Sequence, residues 1–280
     1  MNTASIKPST IGEHLAAWVG MLCAVLTVTS CANSYNIQGS SNISTLDGHK
    51  LYLKIVDNEE LKDIDSCDVV HGAFAFAGSV DSTCMANIYM DRTSLIPVVL
   101  ESGDIVIKLN DTQQTIGGTP LNDKLFTFMK GFDQLQNEAA ELGHKQAQAI
   151  MDGSDMDKVN HSLAIEDAKI SKKMDDMLTK FVTENFDNVL GPGVFMMITA
   201  TMPYPMLTPW IEDIMSKATD RFKNDPYVKQ YMDAANHNQN LMNGMADTQT
   251  PPTPAPGTTL GAPSALPTPA QMAGDSTKQR

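Results

Sequence analysis

The sequence is poor in the groups that catalysis uses most often. Of its four cysteines none follows Cys84, and no two are spaced as Cys-x-x-Cys, so a dithiol redox pair is missing. No two histidines stand four residues apart and there is no His-Glu-x-x-His, which removes the compact zinc signatures. A Gly-x-Ser-x-Gly elbow and a glycine-rich phosphate loop are also lacking. Acidic pairs such as Glu59-Glu60 and Asp175-Asp176 are adjacent in sequence, and neighbouring positions do not face one another across a cleft. They read as solvated surface. Basic residues are in deficit, 20 against 33 acidic, and the net charge of −13 repels phosphate backbones, so nucleic acid is not an expected partner. No catalytic, metal or cofactor site is expected.

Long hydrophobic runs are lacking too. The longest, Leu15–Leu26, has twelve residues, whereas crossing a bilayer takes roughly 20. Lys7 precedes that run and Val28-Thr29-Ser30-Cys31 follows it. A positive region, a short apolar stretch and small residues before a cysteine make up a lipoprotein export signal. Residues 1–30 are read as the signal peptide and Cys31 as the acylated first residue of the mature chain. Two or three acyl chains hold a protein firmly, at about 0.8 kcal/mol per buried methylene. The membrane is then a partner through the N-terminal lipid. Ala32-Asn33-Ser34 carries no acidic run, which favours the periplasmic face of the outer membrane over surface display.

Cys67 and Cys84 are the thiols left after Cys31 is acylated. They form either a disulfide, as an even pair in an oxidising compartment invites, or two separate strand cysteines. Asp65, Asp68 and Asp81 nearby disfavour a reactive thiolate.

The expected fold class is α+β: a small antiparallel β-sandwich, a helical region and a disordered proline-rich tail. Residues 31–118 are strand-like. Leu51–Val56, Ala86–Met90, Ile96–Leu100 and Ile105–Leu109 are β-rich runs. His71-Gly72 suits a tight hairpin turn before Phe74-Ala75-Phe76, whose rings share one face. Residues 119–246 are helical. Thr119-Pro120, Thr208-Pro209 and Asp225-Pro226 each place a cap before a proline. Leu121, Leu125, Met129, Phe132, Leu135, Ala139 and Leu142 form one apolar stripe, and Leu163, Ile170, Met174, Met177, Leu178 and Phe181 a second. Val189–Met202 reads as a fully buried helix broken at Gly191-Pro192-Gly193. Residues 247–280, with seven prolines between Pro251 and Pro269, cannot bury enough surface to order themselves.

Met196, Met197, Met202 and Met206 cluster in one stretch. They read first as adaptable core filling, then as a hydrophobic groove for lipid or apolar clients, and last as a thioether site for Cu(I).

Asp47-Gly48 with Leu51-Tyr52-Leu53, Asp65-Ser66, Gly72 to Gly78, Pro97 with Glu101-Ser102-Gly103, and Gly118-Thr119-Pro120-Leu121-Asn122 follow one another in a recognisable order. This stretch resembles the N-terminal domain of unknown function that precedes thioredoxin-like, thiol-specific-antioxidant-type domains in envelope lipoproteins of Gram-negative anaerobes. Glu184-Asn185 and Asn188-Val189-Leu190-Gly191 resemble the helical connector of those proteins. The chain departs from them where the redox domain would stand, since no Trp-Cys-x-x-Cys follows. The resemblance implies no catalytic residues. It also makes Asp81-Ser82-Thr83 and Asp275-Ser276-Thr277 similar to the short O-glycan acceptors of such lipoproteins. The expected function is a non-enzymatic interaction or structural module that engages an unidentified protein or hydrophobic ligand. An accessory role in periplasmic thiol redox chemistry and a lipid- or client-binding role are the alternatives.

Overall fold

The computed structural model describes residues 33–244, apart from 58–59 and 112. Cys31, the export signal, the 247–280 tail and Asp275-Ser276-Thr277 lie outside the described residues. Eight strands come first: β1 (Asn33–Ser41), β2 (Lys50–Asp57), β3 (Glu60–Asp68), β4 (Ala73–Val80), β5 (Cys84–Met90), β6 (Thr93–Leu100), β7 (Gly103–Leu109) and β8 (Gln114–Gly117). Six helices follow: α1 (Pro120–Met151), α2 (Met156–Thr183), α3 (Leu190–Thr199), α4 (Pro209–Lys217), α5 (Asp220–Lys223) and α6 (Pro226–Met242).

The strands build two four-stranded sheets, ordered β4-β1-β7-β8 and β3-β2-β5-β6. Alternation supplies the inner faces. Ile37, Leu51, Leu53, Phe76, Ile88, Ile105 and Ile107 are fully buried in one cluster between the sheets. All pairings but one are antiparallel. β1 inserts between β4 and β7 and runs parallel to β7, with Ile37 opposite Ile105. The His71-Gly72 turn is present, with φ of 52° and 73°, the positive pair that a tight reversal of this kind requires. Val70 and Ala73 exchange both backbone hydrogen bonds around it, closing the tight turn, but the longer flanks part. β3 and β4 belong to different sheets, so the turn carries the chain from one layer to the other.

β6 is buried from Ile96 to Leu100 without alternation. Ile96, Val98 and Leu100 face the sandwich interior, while Val99 joins the helical core. A strand covered on both faces reads as a continuous apolar run for this reason. Pro97 is tolerated because β6 ends its sheet and pairs only with β5.

The expected break at Gly191-Pro192-Gly193 does not occur; all three lie in the first turn of α3. Proline is compatible with a helix start, and the glycines serve close packing. A Cβ on Gly191 would strike the carbonyl oxygen of Asn185, and one on Gly193 would lie 2.6 Å from Cγ of Met85 on β5. Nor is this helix buried on every side: Met196, Met197 and Ile198 are only half-buried. Phe195, Phe222, Ile211, Ile214, Val228 and Ala235 make up the centre of the helical core.

Candidate functional site

The sandwich and the helices meet at a polar node, which the sequence reading missed. Asn122, in the first turn of α1, has no solvent exposure. Its Oδ1 accepts from the Val99 N–H at 2.8 Å, and its Nδ2 donates to the Val99 carbonyl at 2.8 Å and to Thr119 Oγ1 at 2.8 Å. One side chain thus satisfies both backbone groups of Val99 on the edge of the sheet, as a neighbouring strand would. Glu101 Oε1 accepts from the backbone N–H groups of Leu121 and Asn122 at 2.8 and 3.2 Å. Thr119 occupies the N-cap position but makes no cap bond with its side chain; the acceptor comes from Glu101 instead. A carboxylate at orphan N–H groups also meets the positive end of the helix dipole. The separate motifs Glu101-Ser102-Gly103 and Thr119-Pro120-Leu121-Asn122 are therefore two halves of one joint.

Cys67 and Cys84 are both free and half-buried; the disulfide alternative is not the state of the molecule. Register gives the reason. Cys67 lies opposite Leu51 at one end of β2, and Cys84 lies beyond Ala86, which pairs with Ile55 towards the other end. The offset is roughly 20 Å along the strands at ~3.3 Å per residue, far outside the ~7 Å reach of a disulfide. Burial pushes both thiols up from their ordinary range. At Cys67, Asp65 and Asp68 add to burial, and a backbone hydrogen bond from Ala75 and the charge of Lys50 oppose it. Raised thiols are poor nucleophiles near neutrality.

The four methionines stand at the end of α3 and in the loop after it, all half-buried. Met197 and Met202 pack on the helical core. Tyr231 of α6 ties the loop down: its one hydroxyl proton faces the Met206 carbonyl at 3.0 Å and Met202 Sδ at 3.2 Å, and its oxygen accepts from the Met206 N–H at 3.2 Å. Core filling is the role this packing describes for Met197 and Met202.

Two shallow grooves open elsewhere. One, of about 370 Å³, lies between α2 and α4 and is lined by Asp175, Asp176, Trp210 and Lys217 among others. Lys217 is paired there with Asp213 at 2.7 Å. Burial, and then the charge of Asp176, raise the Asp175 carboxyl, against the pull of Lys172. The other, of about 480 Å³, lies where β1, β4 and β7 begin and end, around Ser34, Tyr35, Gly78 and Asp104. Among the described residues no group of three or more His, Cys, Asp or Glu side chains could hold a metal ion. No described helix is long and apolar enough to cross a membrane. Asp81 and Ser82 are exposed at the turn between β4 and β5.

The chain thus defines a class of protein: a two-sheet sandwich with a helical body stapled to its edge through Asn122 and Glu101. Residues 35–125 match the family model of a domain of unknown function, DUF4369, in agreement with the resemblance carried by the motifs. The match covers about a third of the chain. It takes in the sandwich and ends just past the node, at the first buried leucine of α1. No curated protein matches the chain.

Proposed function

We propose that this chain is a lipid-anchored envelope protein, held through Cys31 on the periplasmic face of the outer membrane, that works as a non-enzymatic interaction or structural module. The observation that carries the reading is the outer half of the α1–α2 hairpin. From Gly131 to Ser171 only Leu142 and Ile170 are buried. At ~1.5 Å per residue the helices run for about 30 Å with a thin seam between them. Ile150 and Met151, at 62% and 81% exposure, sit at the tip beside the turn, and Ile165 is 45% exposed on α2. Large apolar side chains on the end of a solvated arm offer a contact surface to a protein or hydrophobic ligand.

The test is in-cell photo-crosslinking from the anchored protein. A crosslinker at Met151 is expected to capture the same species in repeated experiments, and one at exposed Lys229 on α6 is not. Equal, irreproducible capture from both positions sinks the interaction reading. Radiolabelled palmitate that fails to enter the protein sinks the anchor.

A further inference from the structure

We infer that the free edge of β4 is a docking site for an extended, lysine- or arginine-bearing segment of another polypeptide, which pairs there as an added strand. The site is separate from the α1–α2 tip and does not rest on the acyl anchor.

The four sheet edges are not alike. β3 exposes charged side chains and shifts register against β2 between Leu53 and Lys54. β6 contains Pro97 and gives both backbone groups of Val99 to Asn122, and β8 is only four residues long. Each of these features blocks further pairing. β4 has none of them. It carries no charge and no proline, and its register against β1 is unbroken from Ala73 to Val80.

The hydrogen-bonding groups on that edge follow from the turn. Val70 and Ala73 exchange both backbone hydrogen bonds on the outer side of β4. In an antiparallel ladder both groups of a residue point the same way, and alternate residues point to opposite sides. Ala75, Ala77 and Ser79 therefore turn outward with Ala73. Cys67 takes the Ala75 N–H. The Ala75 carbonyl and both backbone groups of Ala77 and Ser79 have no partner among the described residues. Donors and acceptors repeating every second residue, roughly 6.6 Å apart, are matched by another extended backbone.

The charge of the partner follows from β3, which stands beside β4 in the other layer. Cys67 and Asp65 pair with Leu51 and Leu53, both fully buried, and so turn to the inner side of their sheet. Burial and then the charge of Asp65 raise the Tyr35 phenol, and the Tyr35 hydroxyl lies under Gly78, 2.7 Å from where a Cβ would stand. Asp65 is thus close to the open stretch of β4. Its carboxylate accepts from the Ser66 N–H at 2.7 Å, and no described lysine or arginine pairs with it, whereas Lys54 holds Asp63 and Lys50 holds Asp68. A cationic side chain on the incoming strand meets that carboxylate. A second copy across β4 would instead face one acidic β3 with another, and each chain carries a net charge of −13.

The test titrates the full mature chain with an eight-residue peptide of alternating valine and lysine, and follows single backbone amides by hydrogen exchange in nuclear magnetic resonance. In the free protein the Ala77 and Ser79 amides are expected to exchange fast, and those of Phe76 and Gly78, which point to β1, slowly. Peptide is expected to slow Ala77 and Ser79 and to leave Phe76 and Gly78 unchanged. A fully N-methylated peptide of the same sequence loses its ladder donors and is expected to bind about tenfold more weakly. Asp65→Asn is expected to weaken the unmodified peptide about fivefold, the upper range for a pair of this exposure. Asp167→Asn, which removes the same charge from the exposed face of α2, is expected to leave its affinity unchanged. Undiminished exchange at Ala77 and Ser79 in excess peptide, or equal binding of the N-methylated peptide, overturns the added strand. Equal weakening by the two aspartate variants overturns the basic partner. Protection of Ala77 and Ser79 that grows with protein concentration in the absence of peptide assigns the edge to a second copy, and overturns the proposal. Capture from Met151 tests the helical arm separately.

Discussion

Asn122 is the residue on which the two halves of the molecule depend most. Truncation to alanine leaves the Val99 N–H and carbonyl without the partners they have at 2.8 Å. Both are buried, and each buried unpaired group costs about 1–3 kcal/mol. Asn122→Ala should therefore lower the unfolding free energy by about 2–6 kcal/mol, read as a shift in the urea midpoint at constant slope. A loss below about 0.5 kcal/mol, the size of an ordinary surface change, would mean that water replaces the side chain. Such a node is hard to see in sequence. Thr119-Pro120 marks the helix start legibly, but the Asn122 and Glu101 bonds reach across about 20 residues to groups that local pattern does not name. The cysteines illustrate the same boundary. Their number invites pairing, and only the register, which depends on non-local strands, keeps them apart.

Among the elements, legibility follows burial. Ile96–Leu100 is readable as a strand because two layers cover it, and the 121–142 stripe is readable as a helix because its apolar residues recur every three or four positions. β3 is not. It ends its sheet and leaves Glu60, Lys62, Asp63, Ser66 and Asp68 exposed, so its composition resembles a loop, and charged side chains are how edge strands avoid further pairing. The place of β1 between β4 and β7 is equally hidden, being a pairing between segments far apart in sequence. In α3 the glycines mislead for a physical reason. Gly-Pro-Gly reads as a break in isolation, yet here each missing Cβ makes room for a neighbour. The two neighbours differ, and so do the expected costs. Gly191→Ala drives a methyl into the Asn185 carbonyl, which is backbone and cannot move aside; overpacking of this kind costs about 1–3 kcal/mol. Gly193→Ala meets the flexible Met85 side chain at 2.6 Å, and alanine's better helix propensity, worth ~1 kcal/mol, offsets much of the strain. Thermal unfolding should rank Gly191→Ala clearly below Gly193→Ala. The reverse order would show that contact with the sandwich constrains α3 more tightly than its own start does.

For the whole molecule the question is whether sandwich and helices unfold together, and alkaline pH can answer it. Burial raises the phenols of Tyr35 and Tyr89 on the sandwich and of Tyr227 and Tyr231 in α6, as it raises both thiols. Tyr35 is lifted further by Asp65 and Cys84, and Tyr231 by Tyr227; at Tyr227 the hydrogen bond with Thr199, 3.1 Å long, pulls the other way without cancelling the rise. In each case the folded state keeps its proton to higher pH than the unfolded chain does. The unfolded state then binds fewer protons, so stability is complete below the ordinary thiol and phenol values, about 8.5 and 10, and declines as pH rises through them. Because the raised tyrosines lie on both sides of the Asn122–Glu101 node, tyrosinate absorbance should appear in one cooperative step that coincides with the loss of far-ultraviolet circular dichroism. In Asn122→Ala the coupling is weakened, and the step should split or broaden, with the two signals no longer coincident. A broad, non-cooperative tyrosinate rise in the unsubstituted protein, with circular dichroism unchanged, would mean that the four phenols ionise in place. Their burial would then be too shallow to link the sandwich to the helices.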